Sequence, residues 1–508
     1  MRVTDSGPRR RWTLALKESM KNTSTSRPIS FSPVTSSSQK KQNPIFGQPN
    51  PLDKILKSLG RVDLRKKYNL SNSNRVSKAQ ESSAVVEEIC EAASKLSIGL
   101  CLFDQTPHFF NGSFWESVPS AKLMPFLLDA AKRIGLEDLD HKHHSFRADL
   151  HSQFLSRMPV APDRSGTEKT VINFVNGSLD VTKSDRILRS PRPADYIRYQ
   201  LPFYYDPTAQ CPKWQKFLDD VIPDRASQNR LSEFFGYVLS DMKLEKVLFL
   251  CGSGANGKSV VFEVVSALLG RENISHYDLS ELSNDLYRPE LAHKLLNYSS
   301  ELSRTSDIAN FKRMASGEPI TVKQLYKQPY QVHRYAKLAF NCNNLPATLE
   351  DNEAFFRRLL VIPFDRTIEV KNRNPYLAAQ IIEAELPGIF NWVLEGLDRL
   401  AKNSRFTDSQ KADQLLTKYR TDADPTAEFI EVRGYEISRS PKDKLTLKEI
   451  YEDFSRYCLE TGEDGLSARE LKKAFERRGF AFRKLSTGQV TFATRRTSDD
   501  NDEENPNI

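Results

Sequence analysis

Lys246-Val-Leu-Phe-Leu-Cys251-Gly252-Ser-Gly-Ala-Asn-Gly257-Lys258-Ser259 decides the fold. Residues 246–251 are a short apolar run, Gly252 to Gly257 form a glycine-rich turn, and Lys258–Leu269 is an apolar stretch of helical character. The turn fits GxxxxGK[ST] and stands between an expected strand and an expected helix, the context in which that pattern cradles phosphate. Glycines let the backbone close tightly so that successive N–H groups face the phosphate oxygens. The N-terminus of the following helix adds a favourable dipole. Gly252, Ser253, Gly254, Ala255, Asn256, Gly257, Lys258 and Ser259 are therefore the candidate nucleotide-binding residues. Lys258 is expected to reach the β- and γ-phosphates of ATP, and the Ser259 hydroxyl to hold Mg²⁺. An ordinary glycine-rich turn would show the same letters.

Working outward, further apolar strands are expected at Lys294–Tyr298, Ala336–Asn341 and Leu359–Pro363. Strands alternating with helices predict an α/β layered domain with a largely parallel sheet. Leu377–Leu400 reads as a helical pair broken near Pro387-Gly388, and Arg405–Thr426 as a polar linker or exposed helix. Upstream, Ala84–Leu96 and Ala121–Ile134 read as helices, the second stopped at Gly135. Thr170–Val181 reads as a hairpin turned at Asn176-Gly177, and Trp214–Val221 and Gln228–Leu239 as helices. Periodic sequence begins near Pro51. Residues 1–50 are rich in Ser, Thr, Pro and Asn, too polar to form a core, and residues 1–80 as a whole are expected to be a largely disordered basic arm.

Charge is uneven along the 508 residues. Residues 1–50 carry a net +7 and the tail 498–508 a net −5, which leaves +6 of the total +8 on the body. A mildly basic body suits a polyanion partner, although a solvated basic surface would look alike. No run of about 18 apolar residues is present, so no spanning helix is expected, nor does the start resemble a secretory signal. The six scattered cysteines make no CxxC pair, which argues against a disulfide framework or thiolate zinc site and fits a reducing, cytoplasmic setting. His141, His143, His144 and His151 cluster without the spacing of a tidy metal site.

The glycine-rich loop alone leaves a small-molecule kinase, a GTPase and a motor open. An Asn-Lys-x-Asp base-reading motif is absent, and the chain is longer than small kinases usually are. An acid is needed near metal and attacking water. Glu301, at the end of the expected strand 294–298, can serve, although a surface glutamate would read alike. Asn310–Tyr330 reads as a short helix, a turn at Ser316-Gly317-Glu318, and a hairpin whose Lys323, Tyr326 and Lys327 lie near the tip. Lysines beside an aromatic can grip a nucleic-acid backbone. The strand Ala336–Asn343 ends in amides, of which Asn343, or failing that Asn341, can bond the attacking water or the γ-phosphate. Arg357 and Arg358 precede the strand Leu359–Pro363, and an arginine can stabilise transition-state charge across a subunit boundary.

Taken in order, the Gly252–Ser259 loop, Glu301, the Ser-Gly-Glu hairpin, Asn341-Cys-Asn343-Asn-Leu-Pro346 and Phe355-Phe-Arg-Arg-Leu-Leu-Val-Ile-Pro363 resemble superfamily 3 helicases. The resemblance is to the helicase half of phage, plasmid and poxvirus-type primase–helicases, and it extends over roughly residues 100–485. Upstream it rests on Phe174-Val-Asn-Gly-Ser-Leu-Asp180, Leu201-Pro-Phe-Tyr-Tyr-Asp-Pro207, Cys211-Pro-Lys-Trp214 and Phe234-Phe-Gly-Tyr237. It implies an AAA+-like ATPase at residues 241–405 behind a mainly helical associated domain at 81–240. The activity implied is that of a DNA helicase serving replication of a mobile element or virus, with 3′ to 5′ polarity and ATP and Mg²⁺ bound between the subunits of a hexameric ring. Lys258 and Ser259 are then the Walker A residues and Glu301 the Walker B acid, preceded here by Ser300 rather than a second acid. Asn343 is the sensor, Arg358 the arginine finger with Arg357 close behind, and Lys323 and Lys327 the hairpin lysines. The space upstream is too short for a polymerising primase, so a helicase without primase activity is expected, one with which a separate primase chain could act. An ATP-dependent DNA-binding switch or scaffold without unwinding is the alternative.

The last module, 427–494, reads as two helices, Leu445–Glu460 and Leu466–Gly479, and a hairpin, Phe480–Thr494, turned at Ser486-Thr487-Gly488. That order resembles a winged helix. Arg469, Lys472, Lys473, Arg477 and Arg478 make its second helix basic, suited to DNA, although a protein-binding winged helix has the same order. Residues 495–508 are expected to be an acidic disordered tail.

Overall fold

The computed structural model describes residues 50–495 except 72–73, 137–143, 163–169, 183–185, 301–307, 325–327, 344–352, 423–424, 441 and 463–464. Glu301, Tyr326, Lys327, His141, His143, residues 1–49 and the tail from 496 lie outside the described residues.

Helices occur at Pro51–Ser58 and Leu64–Lys67 and another begins at Lys78, so the arm expected over 1–80 is corrected for the described residues from Asn50. Helix α1 (Pro51–Ser58) is capped by the Asn50 side chain, which accepts from the Leu52 N–H, and it buries Leu52 and Ile55. These two apolar positions suffice because α2 (Lys78–Lys95), α3 (Ser120–Arg133) and α4 (His144–Arg157) close over them, with Ile89, Leu127, Leu150 and Phe154 in one core. A Ser77/Gln80 capping box starts α2.

The region to residue 240 is less helical than expected. β1 (Leu100–Phe103), β2 (Thr106–Phe110) and β3 (Trp115–Ser117) form one antiparallel sheet. β4 (Val171–Phe174), β5 (Gly177–Asp180) and β6 (Leu188–Arg189) form another. Phe174 pairs with Gly177, so the turn residues are Val175-Asn176, one place earlier than the Asn-Gly reading. Helices α5 (Pro212–Val221) and α6 (Arg225–Val238) follow.

The central sheet has the order β13-β7-β12-β9-β8, every neighbouring pair parallel. Its strands are β7 (Val247–Cys251), β8 (Ile274–Ser275), β9 (Leu296–Ser299), β12 (Lys337–Cys342) and β13 (Leu359–Pro363). Their near-continuous apolar sequences reflect burial on both faces. Leu248, Leu250, Ala339 and Ile362 pack against α7 (Lys258–Leu269) and α9 (Leu377–Asn403). Phe249, Phe340 and Val361 face α8 (Ile308–Ser316) and the hairpin of β10 (Ile320–Val322) and β11 (Tyr330–Val332).

One expectation downstream is corrected. Helix α9 runs unbroken through Pro387. Proline removes one backbone donor and costs about 3 kcal/mol, but Ile381, Ile389, Phe390, Val393, Leu397 and Leu400 keep one buried face along the whole length. Gly396 lets α9 approach α6 closely, since a Cβ there would stand 2.6 Å from the Ser232 carbonyl oxygen. Of the two readings for Arg405–Thr426 the helix holds: α10 (Gln410–Asp422) is mostly exposed, and its half-buried Leu415, Leu416 and Tyr419 pack against the β10–β13 side of the core.

The C-terminal module adds elements to the expected two helices and hairpin. It comprises α11 (Pro425–Val432), β14 (Glu436–Ile437), β15 (Lys444–Thr446), α12 (Leu447–Thr461), α13 (Ala468–Arg477), β16 (Arg483–Leu485) and β17 (Gly488–Thr494). β17 pairs antiparallel with the other three strands. Thr446/Glu449 and Ser467/Glu470 capping boxes start its two longer helices, and Phe429, Phe454 and Phe475 centre its core. No helix among the described residues is long and apolar enough to cross a membrane.

Candidate functional site

In open parallel sheets, ligands sit outside the carboxyl ends of the strands, and the chain brings its motif residues to that edge. β7 ends at Cys251, in register with Cys342 of β12 and Pro363 of β13. The residues that follow each strand therefore converge: Gly252–Ser259, Asn343 and Phe364.

The loop is held by its own backbone and by Phe364. The Gly252 N–H donates to the Cys342 carbonyl (3.1 Å), and Asn256 Nδ2 donates to the Phe364 carbonyl (3.1 Å). A Cβ on Gly252 would lie 2.2 Å from that same oxygen, so only glycine fits. Ala255 and Gly257 take positive φ values of 61° and 92°, which turn the chain into α7. This turn leads into a 12-residue helix whose first residue is Lys258.

Lys258 is buried, with 8% of its surface exposed. Its Nζ donates to the Gly252 carbonyl, to Asn256 Oδ1 (3.2 Å) and weakly to the Ser253 carbonyl (3.4 Å). Burial lowers its pKa, against the opposing influence of Cys342 and Cys251. Ser259 is exposed in the first turn of α7. Asn343 is exposed just past β12, whereas Asn341 is buried beside Tyr298. Cys251 and Cys342, with Sγ atoms 2.9 Å apart, underlie the loop as free thiols. β9, which leads to Glu301, ends at Ser299 in register with Phe340.

The two arginines occupy the opposite edge. They stand at the start of β13, where Leu359 pairs with Val247, the first residue of β7. A five-residue strand, about 16 Å, separates them from the loop of their own chain. Their environments differ. Arg358 is buried: Nε and Nη2 donate to Ser316 Oγ at 3.2 and 2.8 Å, and Nη1 to the Ala354 carbonyl at 2.6 Å. Arg357 keeps 61% of its side chain exposed and, among the described residues, its guanidinium meets the rim carboxylate Glu245 at 3.4 Å, which also pairs with Arg358 Nη2 at 3.2 Å.

Among the hairpin lysines, Lys323 is exposed immediately after β10, and its N–H donates to the Asp285 carbonyl (3.1 Å). On α13, Arg469, Lys473 and Arg477 recur every four residues on the exposed face. Lys472 is turned inward, paired with Glu476 (3.4 Å) and set over the Phe482 ring, and Arg478 donates to Thr426 Oγ1 (3.1 Å). His144 and His151 lie two turns apart on α4, and no group of three or more potential metal ligands occurs among the described residues.

Two family models match: "D5 N terminal like" over residues 52–223 and "Family of unknown function (DUF5906)" over residues 250–358. A protein of Acanthamoeba polyphaga mimivirus named "Putative helicase L207/L206" is 30% identical over 209 residues, 38% of this chain and 22% of that protein. "Putative helicase 184R" of Invertebrate iridescent virus 6 is 22% identical over 351 residues, 59% of this chain and 35% of that protein. The matches thus span about a third or less of those relatives' own lengths. Among solved structures, the apo C-terminal region of NrS-1 overlays with a TM-score of 0.45 at 11% identity, covering 79% of this chain and 98% of that one. The chain is thus similar, segment by segment, to the D5 N-terminal-like family over residues 52–223 and, over parts of its length, to viral proteins named putative helicases.

Proposed function

We propose that the chain is an ATP-dependent DNA helicase that works as a ring, with ATP cleaved where adjacent subunits meet. The observation that carries this reading is the placement of the glycine-rich loop and Arg357 at opposite edges of one parallel sheet. A guanidinium a strand's length from its own loop serves a phosphate only on a neighbouring copy. Arg357, exposed, is the better arginine finger, and Arg358 is the positioning residue that fixes the start of β13. This order reverses the one taken from the resemblance.

The strand order, with the loop after β7 and the arginines before β13, fits an AAA+-like P-loop domain. In it Lys258 would leave its carbonyl partners for the β- and γ-phosphates, already at low desolvation cost because it is buried. The exposed Ser259 hydroxyl and Glu301 fit Mg²⁺, which neutralises phosphate charge when bound. Asn343 would orient the attacking water. The C-terminal module, with its four-stranded antiparallel sheet and the Arg469–Lys473–Arg477 row, fits a DNA-binding winged helix, and Lys323 with Lys327 would follow one strand through the ring.

The test is ATP turnover with and without single-stranded DNA, the mass of the assembly with ATP, and strand separation with Lys258→Ala as control. DNA-stimulated turnover, a ring-sized mass and unwinding lost in the variant are expected. Turnover and DNA binding without strand separation would replace the helicase with an ATP-dependent switch or scaffold. A monomer whose ATPase ignores DNA would remove both.

A further inference from the structure

A cavity of about 150 Å³ lies at the other edge of the sheet, before β9 and β12 begin. Residues 195–199 of the D5-like segment form one wall, and residues 238–241, 293–295 and 333–337 form much of the rest. Arg198, Lys243, Arg334 and Lys337 all line it. Arg198 meets Asp104 at 3.3 Å through a single nitrogen, which also lies 3.3 Å from His293 Nδ1. Lys337 donates to the Met242 carbonyl at 3.0 Å and sits 4.0 Å from the Tyr237 ring centre. Asp241 is taken by Arg334, and the other lining carboxylate, Asp195, is held at 2.7 Å by both terminal nitrogens of Arg189. Lys294, also at the wall, directs its Nζ to the Glu272 carbonyl.

Among the described residues these four cations have Asp104 and Asp241 opposite them; Arg198 and Lys337 are withdrawn from solvent, whereas Lys243 and Arg334 stand exposed at the rim. Cations taken from water without full counter-charge are costly unless an anion completes the set. Burial depresses the pKa of Arg198 and brings Lys337 down to about 8, with Lys243 and Arg334 adding to the effect on Lys337 and Asp241 opposing it. The volume falls short of the roughly 300–1,000 Å³ of pockets for larger ligands. A small tetrahedral oxyanion fits that space, and guanidinium with ammonium donors match its oxygens.

We propose that this cavity is a phosphate-binding site distinct from the glycine-rich loop. It takes a phosphate or pyrophosphate group, either free or carried on a nucleic-acid strand. The proposal does not rest on the helicase reading, because none of its residues belongs to the ATP site.

The full chain carrying Lys258→Ala, which disables the loop, is titrated calorimetrically with inorganic phosphate and pyrophosphate at ionic strength fixed with chloride. Saturable pyrophosphate binding is expected to persist and to weaken about tenfold or more in Arg198→Gln and Lys337→Gln. Lys243→Glu, at an exposed position on the rim, reads the same site without disturbing a buried group, and a similar loss is expected. A short single-stranded oligonucleotide that displaces pyrophosphate assigns the site to strand phosphate, and failure to displace assigns it to the free anion. No saturable binding in the Lys258→Ala chain, or binding that Lys243→Glu and Arg198→Gln leave unchanged, overturns the proposal.

Discussion

Arg358 Nη2 donates to Ser316 Oγ at 2.8 Å, which ties the start of β13 to the end of α8 and leaves the adjacent Arg357 facing outward. The two neighbours therefore separate structure from chemistry. Arg358→Ala is expected to cost about 2–4 kcal/mol of stability through lost buried charge-assisted bonds, seen as a lower urea midpoint. Arg357→Ala is expected to leave that midpoint within about 0.5 kcal/mol. It should lower ATP turnover about 10³-fold or more, with partial recovery when mixed with Lys258→Ala subunits. A variant pair with the opposite pattern would restore Arg358 as the finger.

Gly252→Ala tests the loop without removing a charge. Its Cβ would fall 2.2 Å from the Phe364 carbonyl and 2.4 Å from Asn256 Nδ2, both fixed groups. A loss of about 2–3 kcal/mol in stability is expected, with nucleotide affinity down at least about tenfold, measured by fluorescent nucleotide titration. Gly254→Ala, where a Cβ meets nothing within 4 Å, is the matched control for stability and should keep the parent urea midpoint.

Acid sensitivity follows from His108 and His293, whose rings are 5.5 Å apart. Burial pushes His108 down to about 4, with the Thr106 carbonyl opposing and Arg198 adding. Burial likewise pushes His293 down to about 3, with Arg198, His108 and Lys294 adding. Unfolded imidazoles bind protons below about 6.5, whereas the folded ones stay neutral until near 4 and 3. The unfolded chain therefore gains protons first, so stability is full above pH 6.5 and falls as pH drops below it, by at most about 1.4 kcal/mol per unit per imidazole. Urea midpoints from pH 7.5 to 4.5 should show this slope, and His293→Gln should flatten it. An unchanged slope in that variant would count against the burial argument.

The exposed row on α13 separates DNA contact from packing. Lys473→Glu is expected to weaken DNA binding about uniformly across sequences and to reduce the salt slope by about one, read by fluorescence anisotropy at several chloride concentrations. Lys472→Ala, whose ammonium is engaged by Glu476 and Phe482, should change the salt slope little.

The parallel sheet was legible because its strands are apolar throughout: Leu359–Pro363 and Lys258–Leu269 fall where the sequence put them, residue for residue. The strands before residue 120 were not. Their turn, Asp104-Gln105, uses two left-handed residues without the glycine that marks such hairpins. Pro387 misled in the other direction, since a local break signal gave way to the buried face of α9. Among site residues, the loop was readable from spacing. The division between Arg357 and Arg358 was not, because which of two adjacent guanidiniums turns inward depends on Ser316, 42 positions earlier. The cationic cavity was equally invisible, for its residues come from six separate stretches of chain.

The shared core beneath α7 and α9 sets where this chain can be divided. Trp214, Phe217, Leu231 and Phe234 belong to the same buried cluster as Leu248, Leu250 and Ile362. A recombinant fragment cut at Lys246 would strip one side of the sheet and leave an adhesive apolar surface. The smallest piece that keeps this layer covered begins upstream of α5, inside the D5-like segment, so the boundary between the two matched segments is not a place where the protein comes apart.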